Sequence, residues 1–143
     1  MGLYRKCSIC NGKVRYGTKC KCEEERARER YRVYKQKRND KEEQKFYGSK
    51  EWSRLRKTID IRYHGMCLYC LLMFDKIVDR EANHHIIEIK DDWSRRLDDS
   101  NIIPLCDKCH KNIHYEYKIN IKNKRNMQEK LFNLLKKYEK EFM

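Results

Sequence analysis

Glu81-Ala82-Asn83-His84-His85-Ile86-Ile87, then Asn101-Ile102-Ile103-Pro104-Leu105-Cys106, then Cys109-His110-Lys111-Asn112-Ile113-His114 is the stretch that decides how this chain folds. The two apolar-rich segments read as short strands near 83–89 and 101–105, with a loop at 90–99 between them. A helix then starts close to Cys106 and runs to about 117, so the order is β, β, α. In that helix His110 and His114 stand four apart, one above the other on one face, the geometry that grips a single metal ion. Cys109 precedes His110 by about 100° of helical turn, so a thiolate site and a histidine site can use different sides of one helix.

The cysteines extend the reading outward. The chain carries eight, all in close pairs: Cys7/Cys10, Cys20/Cys22, Cys67/Cys70 and Cys106/Cys109. Cys67-x2-Cys70 and Cys106-x2-Cys109 are two half-sites of a four-thiolate zinc, which has no open position and is therefore structural. A redox role would need a thioredoxin-like βαβ context, which the sequence lacks. His110 and His114 could instead complete a structural zinc with one cysteine pair, but Cys106 and Cys109 would then be left without partners.

Around this centre the chain divides into four parts. Residues 1–22 hold Cys7, Cys10, Cys20 and Cys22, with Gly12 and Gly17 suited to the turns between them. This reads as an N-terminal zinc knuckle whose fold depends on metal. Residues 23–47 are a charged helical linker or arm, with Tyr31 and Tyr34 among its basic residues. It serves either as a nucleic-acid-facing arm or as a solvated spacer. Residues 48–117 form the central module. Across 46–64, Trp52, Leu55, Ile59 and Tyr63 make one apolar helical face, with Ser49 as N-cap and Gly65 as stop. Residues 118–143 end in a helix whose stripe of Met127, Leu131, Leu134, Leu135, Tyr138 and Phe142 packs back on the module or meets a partner.

Composition narrows the function class. The chain has 143 residues, is 40% charged and carries a formal net charge of +13, a field that favours a polyanion such as nucleic acid. No apolar run approaches the roughly 20 residues of a membrane span, and no apolar stretch follows Met1-Gly2-Leu3-Tyr4-Arg5-Lys6 to make a signal peptide. The expected setting is the cytoplasm, where cysteines stay reduced.

The quoted residues resemble the HNH nuclease motif: its first His matches His85, its Asn matches Asn101 and its last His matches His110. The doubled His84-His85 and the additional His114 are similar to the nuclease domains of DNase colicins. The knuckle at 7–22, the basic run and Phe46-Tyr47-Gly48-Ser49-Lys50-Glu51-Trp52 resemble small phage HNH endonucleases encoded near packaging genes. The resemblance implies a small α+β fold. Its ββα-metal (His-Me finger) core is stapled by a four-cysteine zinc site and flanked by helices and the knuckle.

It also implies roles. His85 is expected as the general base, with Asn101 holding its other ring nitrogen through the side-chain carbonyl. His84, His110 and His114 are expected to bind one catalytic divalent ion. Three imidazoles favour zinc or nickel, while the resemblance brings in manganese and magnesium. With one structural zinc per cysteine cluster, the cofactors are two Zn²⁺ and that ion. Arg95 and Arg96, beside Trp93, can clamp DNA phosphate, or can sit on a solvated loop balanced by Asp91, Asp92, Asp98 and Asp99. The implied activity is DNA phosphodiester hydrolysis by a monomer in the host cytoplasm, with the phage terminase large subunit as a partner. The alternative is a non-catalytic, zinc-dependent nucleic-acid-binding module. One tension stands: neighbours on a strand point to opposite faces, yet His84 and His85 must reach one phosphate.

Overall fold

The computed structural model describes residues 2–143; Met1, the first residue of the 1–22 knuckle, lies outside them. The chain packs as two compact units, Met1–Lys41 and Glu42–Met143. In the first, strands β1 (Tyr4–Lys6) and β2 (Lys13–Arg15) pair antiparallel. Asn11, at φ 59°, makes the left-handed residue of the turn between them, where Gly12 was the expectation; an Asn side chain tolerates that conformation. Gly17, at φ 85°, does take a conformation that other residues rarely adopt.

Helix α1 (Lys21–Lys37) follows directly, with Cys20 as its N-cap and Cys22 inside its first turn. The knuckle and the charged segment therefore share one helix. Arg5 grips Glu23 with both terminal nitrogens, each at 2.7 Å. Helix α1 buries none of its residues. Its order comes from the cap, from Glu24–Arg28 and Glu29–Arg32 pairs, and from the cysteine cluster at its start.

The second unit opens one residue into α2 (Lys41–Tyr47), which α3 (Lys50–Arg62) follows. The single helix expected across 46–64 is thus broken at Gly48-Ser49. Ser49 accepts from the Trp52 N–H at 3.2 Å and restarts the chain as an N-cap. Trp52, Ile59 and Tyr63 face the core as expected, with Leu55 partly buried. The helix ends with His64 and Gly65 both at positive φ. Cys67 caps α4 (Leu68–Phe74).

Strands β3 (Ala82–His85) and β4 (Ile102–Leu105) form the central antiparallel hairpin, with His84 opposite Ile103 and His85 opposite Ile102. Strand β3 is shorter than expected. At Ile86 the chain turns, because the Asn101 side chain bonds the Ile87 backbone and breaks the ladder. The expected loop carries two 3-10 turns, Trp93–Arg95 and Asp99–Asn101. Pro104 is tolerated in β4 because the sheet has two strands and the proline nitrogen needs no partner on the outer edge.

Cys106 caps α5 (Asp107–Ile119), and Asn120 caps α6 (Ile121–Phe142). Leu131, Leu134, Leu135 and Tyr138 of α6 are buried, Met127 packs at the margin of the core, and Phe142 is exposed with its ring stacked on Tyr138. The stripe therefore packs back on the module. The result is a small α+β fold of six helices and two small sheets among the described residues.

Candidate active site and metal centres

Three clusters of metal-ligating side chains form, each with donor atoms within 4.8 Å of one another. The first is Cys7, Cys10, Cys20 and Cys22, drawn from the hairpin turn and the start of α1. Cys10 and Ile9 backbone N–H groups lower the Cys7 thiol to about 7, while the neighbouring Cys20 and Cys7 sulfurs raise that of Cys22. The second is Cys67, Cys70, Cys106 and Cys109, all buried, which ties the N-termini of α4 and α5 together. Here Cys70 Sγ is 3.5 Å from Cys109 Sγ and 3.8 Å from Cys106 Sγ. Four sulfurs at about 2.3 Å from one tetrahedral ion would be spaced by about 3.8 Å. Both clusters can hold zinc, and all eight cysteines are free thiols.

The third cluster is His84, His110 and His114, one residue from β3 and two from α5. His110 Nε2 and His114 Nε2 are 2.9 Å apart. Two ligands at right angles, each about 2.1 Å from one ion, would stand about 3 Å apart. Burial holds all three imidazoles below their ordinary pKa, His84 far below, with His114 and His110 adding repulsion there. They are therefore neutral near pH 7, with lone pairs available to a cation. The Tyr117 hydroxyl donates to the Ile86 carbonyl at 2.8 Å and faces His84 Nε2 at 3.3 Å. With its proton committed, it accepts from His84 Nε2–H, which leaves His84 Nδ1 as the free donor atom.

His85 looks toward α2 and α3. Its ring stacks on Trp52 at 5.0 Å and 24°, with Phe46 and Tyr47 around it. His85 Nε2 lies 2.8 Å from the Arg96 carbonyl oxygen, which can only accept, so Nε2 carries the proton and Nδ1 the lone pair. Tyr47 faces Nδ1 at 3.4 Å, and burial raises its hydroxyl to about 12. Burial lowers His85 as well, so its ring is neutral.

Two sequence expectations need correction. The oxygen that orients His85 belongs to the Arg96 backbone and not to Asn101. The fully buried Asn101 accepts from Ile87 N–H at 2.8 Å, donates to Ile87 O at 3.0 Å, and takes Ile86 N–H on its own carbonyl at 2.8 Å. It pins the chain immediately after His85 and so acts one step removed from the ring. Arg95 and Arg96, read either as a phosphate clamp or as part of a solvated loop balanced by aspartates, are engaged internally. Arg95 pairs with Asp98 at 2.9 Å and lies over Phe132; Arg96 donates to the Trp93 carbonyl at 3.0 Å and lies over Trp93. Neither borders the histidine cleft.

That cleft, of about 400 Å³, is bordered by His84, His85, His110 and His114 together. The strand tension is thereby resolved. Strand β3 pairs on one edge only, so a group lying along its other edge can be reached from both faces. The basic residues on the cleft are Arg56, Arg80 and Lys90. Sequence reasoning missed these, and it missed Trp52 and Tyr117 as supports of the histidines. For Trp52 and Arg56 the signal was their i, i+4 spacing, which puts them on one helical face without saying what that face meets.

No helix among the described residues is long and apolar enough to cross a membrane. The profile of the family described as HNH endonuclease matches residues 67–116. Among solved structures the chain is similar to the HNH endonuclease of deep-sea thermophilic bacteriophage GVE2, crystallised with manganese ion. The TM-score is 0.53 and the identity 32%, over 60% of this chain and 92% of that one. No curated protein matches.

Proposed function

The chain belongs to the HNH endonuclease family, and from that premise we propose that it is a divalent-metal-dependent endonuclease that hydrolyses DNA phosphodiester bonds. The observation that carries this is the meeting of a three-histidine cluster and a separately oriented fourth histidine on one cleft. A non-catalytic binding module needs no His85 with an oriented lone pair.

On this reading each residue of the cleft has a role. His84, His110 and His114 would hold the cation, which when bound would supply positive charge to the phosphate and to the departing 3′ oxygen. His85 Nδ1 takes the proton of the attacking water, while its Nε2–H stays on the Arg96 carbonyl. The water oxygen bonds to phosphorus, the P–O3′ bond breaks, and the 3′ oxygen gains a proton from solvent in the open cleft. The products are a 5′-phosphate and a 3′-hydroxyl. Asn101 is a positioning residue, acting through the Ile87 backbone. Each four-cysteine cluster would hold one structural zinc. Manganese in the phage relative supports its inclusion, with magnesium, nickel and zinc, in the metals to be tried. The reading extends to action beside phage DNA packaging with the terminase large subunit as partner, supported by the resemblance of 7–52 and testable by co-purification.

Plasmid cleavage across those four metals tests the reading. Wild type is expected to cut with at least one of them. His110→Ala is expected to lose the exchangeable ion and cleavage while keeping two zincs per chain by elemental analysis. DNA binding without cleavage in any metal would instead establish the binding module.

Tyr117 offers a finer check. Tyr117→Phe is expected to weaken the exchangeable ion about tenfold in calorimetric titration, as loss of an outer hydrogen bond to a histidine ligand does. The Ile86 carbonyl keeps Gln128 as a donor at 3.2 Å, so the fold should tolerate the change. An unchanged affinity would mean that His84 is not held through this hydroxyl.

A further inference from the structure

Four buried side-chain atoms have no hydrogen-bond partner among the described residues: Asp60 Oδ1, Arg80 Nε, and both amide atoms of Asn83. Arg80 and Asn83 border the histidine cleft. A buried amide with neither atom satisfied costs free energy, so such a group marks a place where a ligand or an ordered water completes the structure. Asp60 fixes the Arg80 guanidinium through a 2.7 Å ion pair.

Arg56 stands on the same cleft, is exposed, and forms no ion pair among the described residues. Trp52, Arg56 and Asp60 are spaced four apart and so share one face of α3. Trp52 stacks on His85, so this face runs from the proposed base toward Arg80. One helical step of four residues advances about 6 Å.

We infer that Arg56, Arg80 and Asn83 form a subsite for a DNA backbone phosphate flanking the scissile one. This rests on the nuclease reading of the cleft. An Arg guanidinium beside a fixed second one and an amide donor is a chemistry suited to a phosphodiester oxygen pair. Three carboxylates also border the cleft. Glu88 is offset by Lys90 at 3.1 Å and Lys124 at 3.5 Å, while Glu43 and Glu81 form no ion pair among the described residues. The subsite therefore acts by directed hydrogen bonds more than by net field, and its effect should be local to Arg56 rather than shared by every basic residue of α3.

The test compares two substrates and one control variant. Thymidine 5′-(p-nitrophenyl phosphate) has one phosphodiester and no flanking phosphate; a duplex oligonucleotide has both. For Arg56→Gln, the ratio of kcat/KM on duplex to kcat/KM on the single diester is expected to fall about tenfold, the scale of one lost charge-assisted hydrogen bond. Asn83→Asp, which sets a carboxylate against the phosphate, should lower it further. Arg54→Gln removes the same charge from the opposite side of α3, outside the cleft, and should change the ratio less than twofold, a bound resting on surface charges acting weakly.

Binding is measured in parallel without divalent metal. Arg56→Gln should reduce the slope of log affinity against log salt by about 0.9, the share of one phosphate contact. An unchanged ratio and slope, or an equal effect from Arg54→Gln, overturns the subsite and leaves the nuclease reading intact. If wild type cleaves neither substrate, the nuclease reading fails, and the salt slope alone decides whether the phosphate contact exists. Absence of DNA binding at low salt overturns both. Zinc content and circular dichroism confirm that each variant is folded.

Discussion

His85→Ala is expected to lower plasmid cleavage by about 10²- to 10⁴-fold, the usual contribution of a general base, with the exchangeable ion still bound. The argument is geometric. The Arg96 carbonyl fixes the proton on Nε2, burial keeps the ring neutral, and Nδ1 is left as a lone pair facing the Tyr47 hydroxyl, on a cleft that the three histidines also border. Alanine removes that lone pair without touching His84, His110 or His114. It also removes a ring stacked on Trp52 and leaves a cavity among Phe46, Tyr47 and Trp52, so some loss of stability will accompany it. His85→Gln keeps more of the volume and can still bond the Arg96 carbonyl, but its amide is not a base. Both variants should be inactive, with metal affinity within a factor of a few of wild type. Cleavage by either variant at the wild-type rate would remove His85 from the mechanism.

The second large effect concerns stability. Cys106→Ser is expected to unfold the second unit. Serine caps a helix at least as well as cysteine, so the start of α5 keeps its cap and the loss is that of one thiolate. That thiolate belongs to the site joining the N-termini of α4 and α5, and α5 carries His110 and His114. Zinc binding at such sites releases about 10–16 kcal/mol, against a total domain stability of about 5–15 kcal/mol. A chain without this ion should show little cooperative melting by circular dichroism, one zinc against the two expected of wild type, and no exchangeable-ion site. Removing zinc from wild type with a strong chelator empties both clusters and should likewise abolish the cooperative melt, and restoring zinc should reverse it. A cooperative melt at the wild-type temperature in either case would show that the cluster does not stabilise the unit.

Several parts of this architecture were legible one segment at a time. Close cysteine pairs announced both thiolate clusters, because two donors a few residues apart must share a locale whatever the rest of the chain does. His110 and His114 announced a shared helix face for the same reason. Ser49 as a cap, the apolar face of Trp52, Ile59 and Tyr63, and the inward stripe of α6 were read from a period of 3.6 residues. The break at Gly48-Ser49 was not, because apolar spacing runs on across a cap that restarts the helix.

What the sequence determined by itself is therefore the set of groups that carry chemistry and their local pairing: four histidines in two doublets, eight cysteines in four pairs, and the β, β, α order between them. Tertiary structure alone decided which atom serves which. The oxygen that orients His85 is a backbone carbonyl, a group every residue has, so no side-chain pattern could single out Arg96. Asn101 was recognisable, but its partner, the Ile87 backbone, became available only where β3 stops. Arg95 and Arg96 were visible as charges, yet Asp98, Phe132 and the Trp93 carbonyl claim them, while Arg56 and Arg80 reach the cleft from α3 and from the start of the hairpin. Short-range spacing fixes donors that share a turn of helix or a tight loop. Contacts between residues far apart in the chain depend on how helices and strands pack, and that is settled only when the core closes.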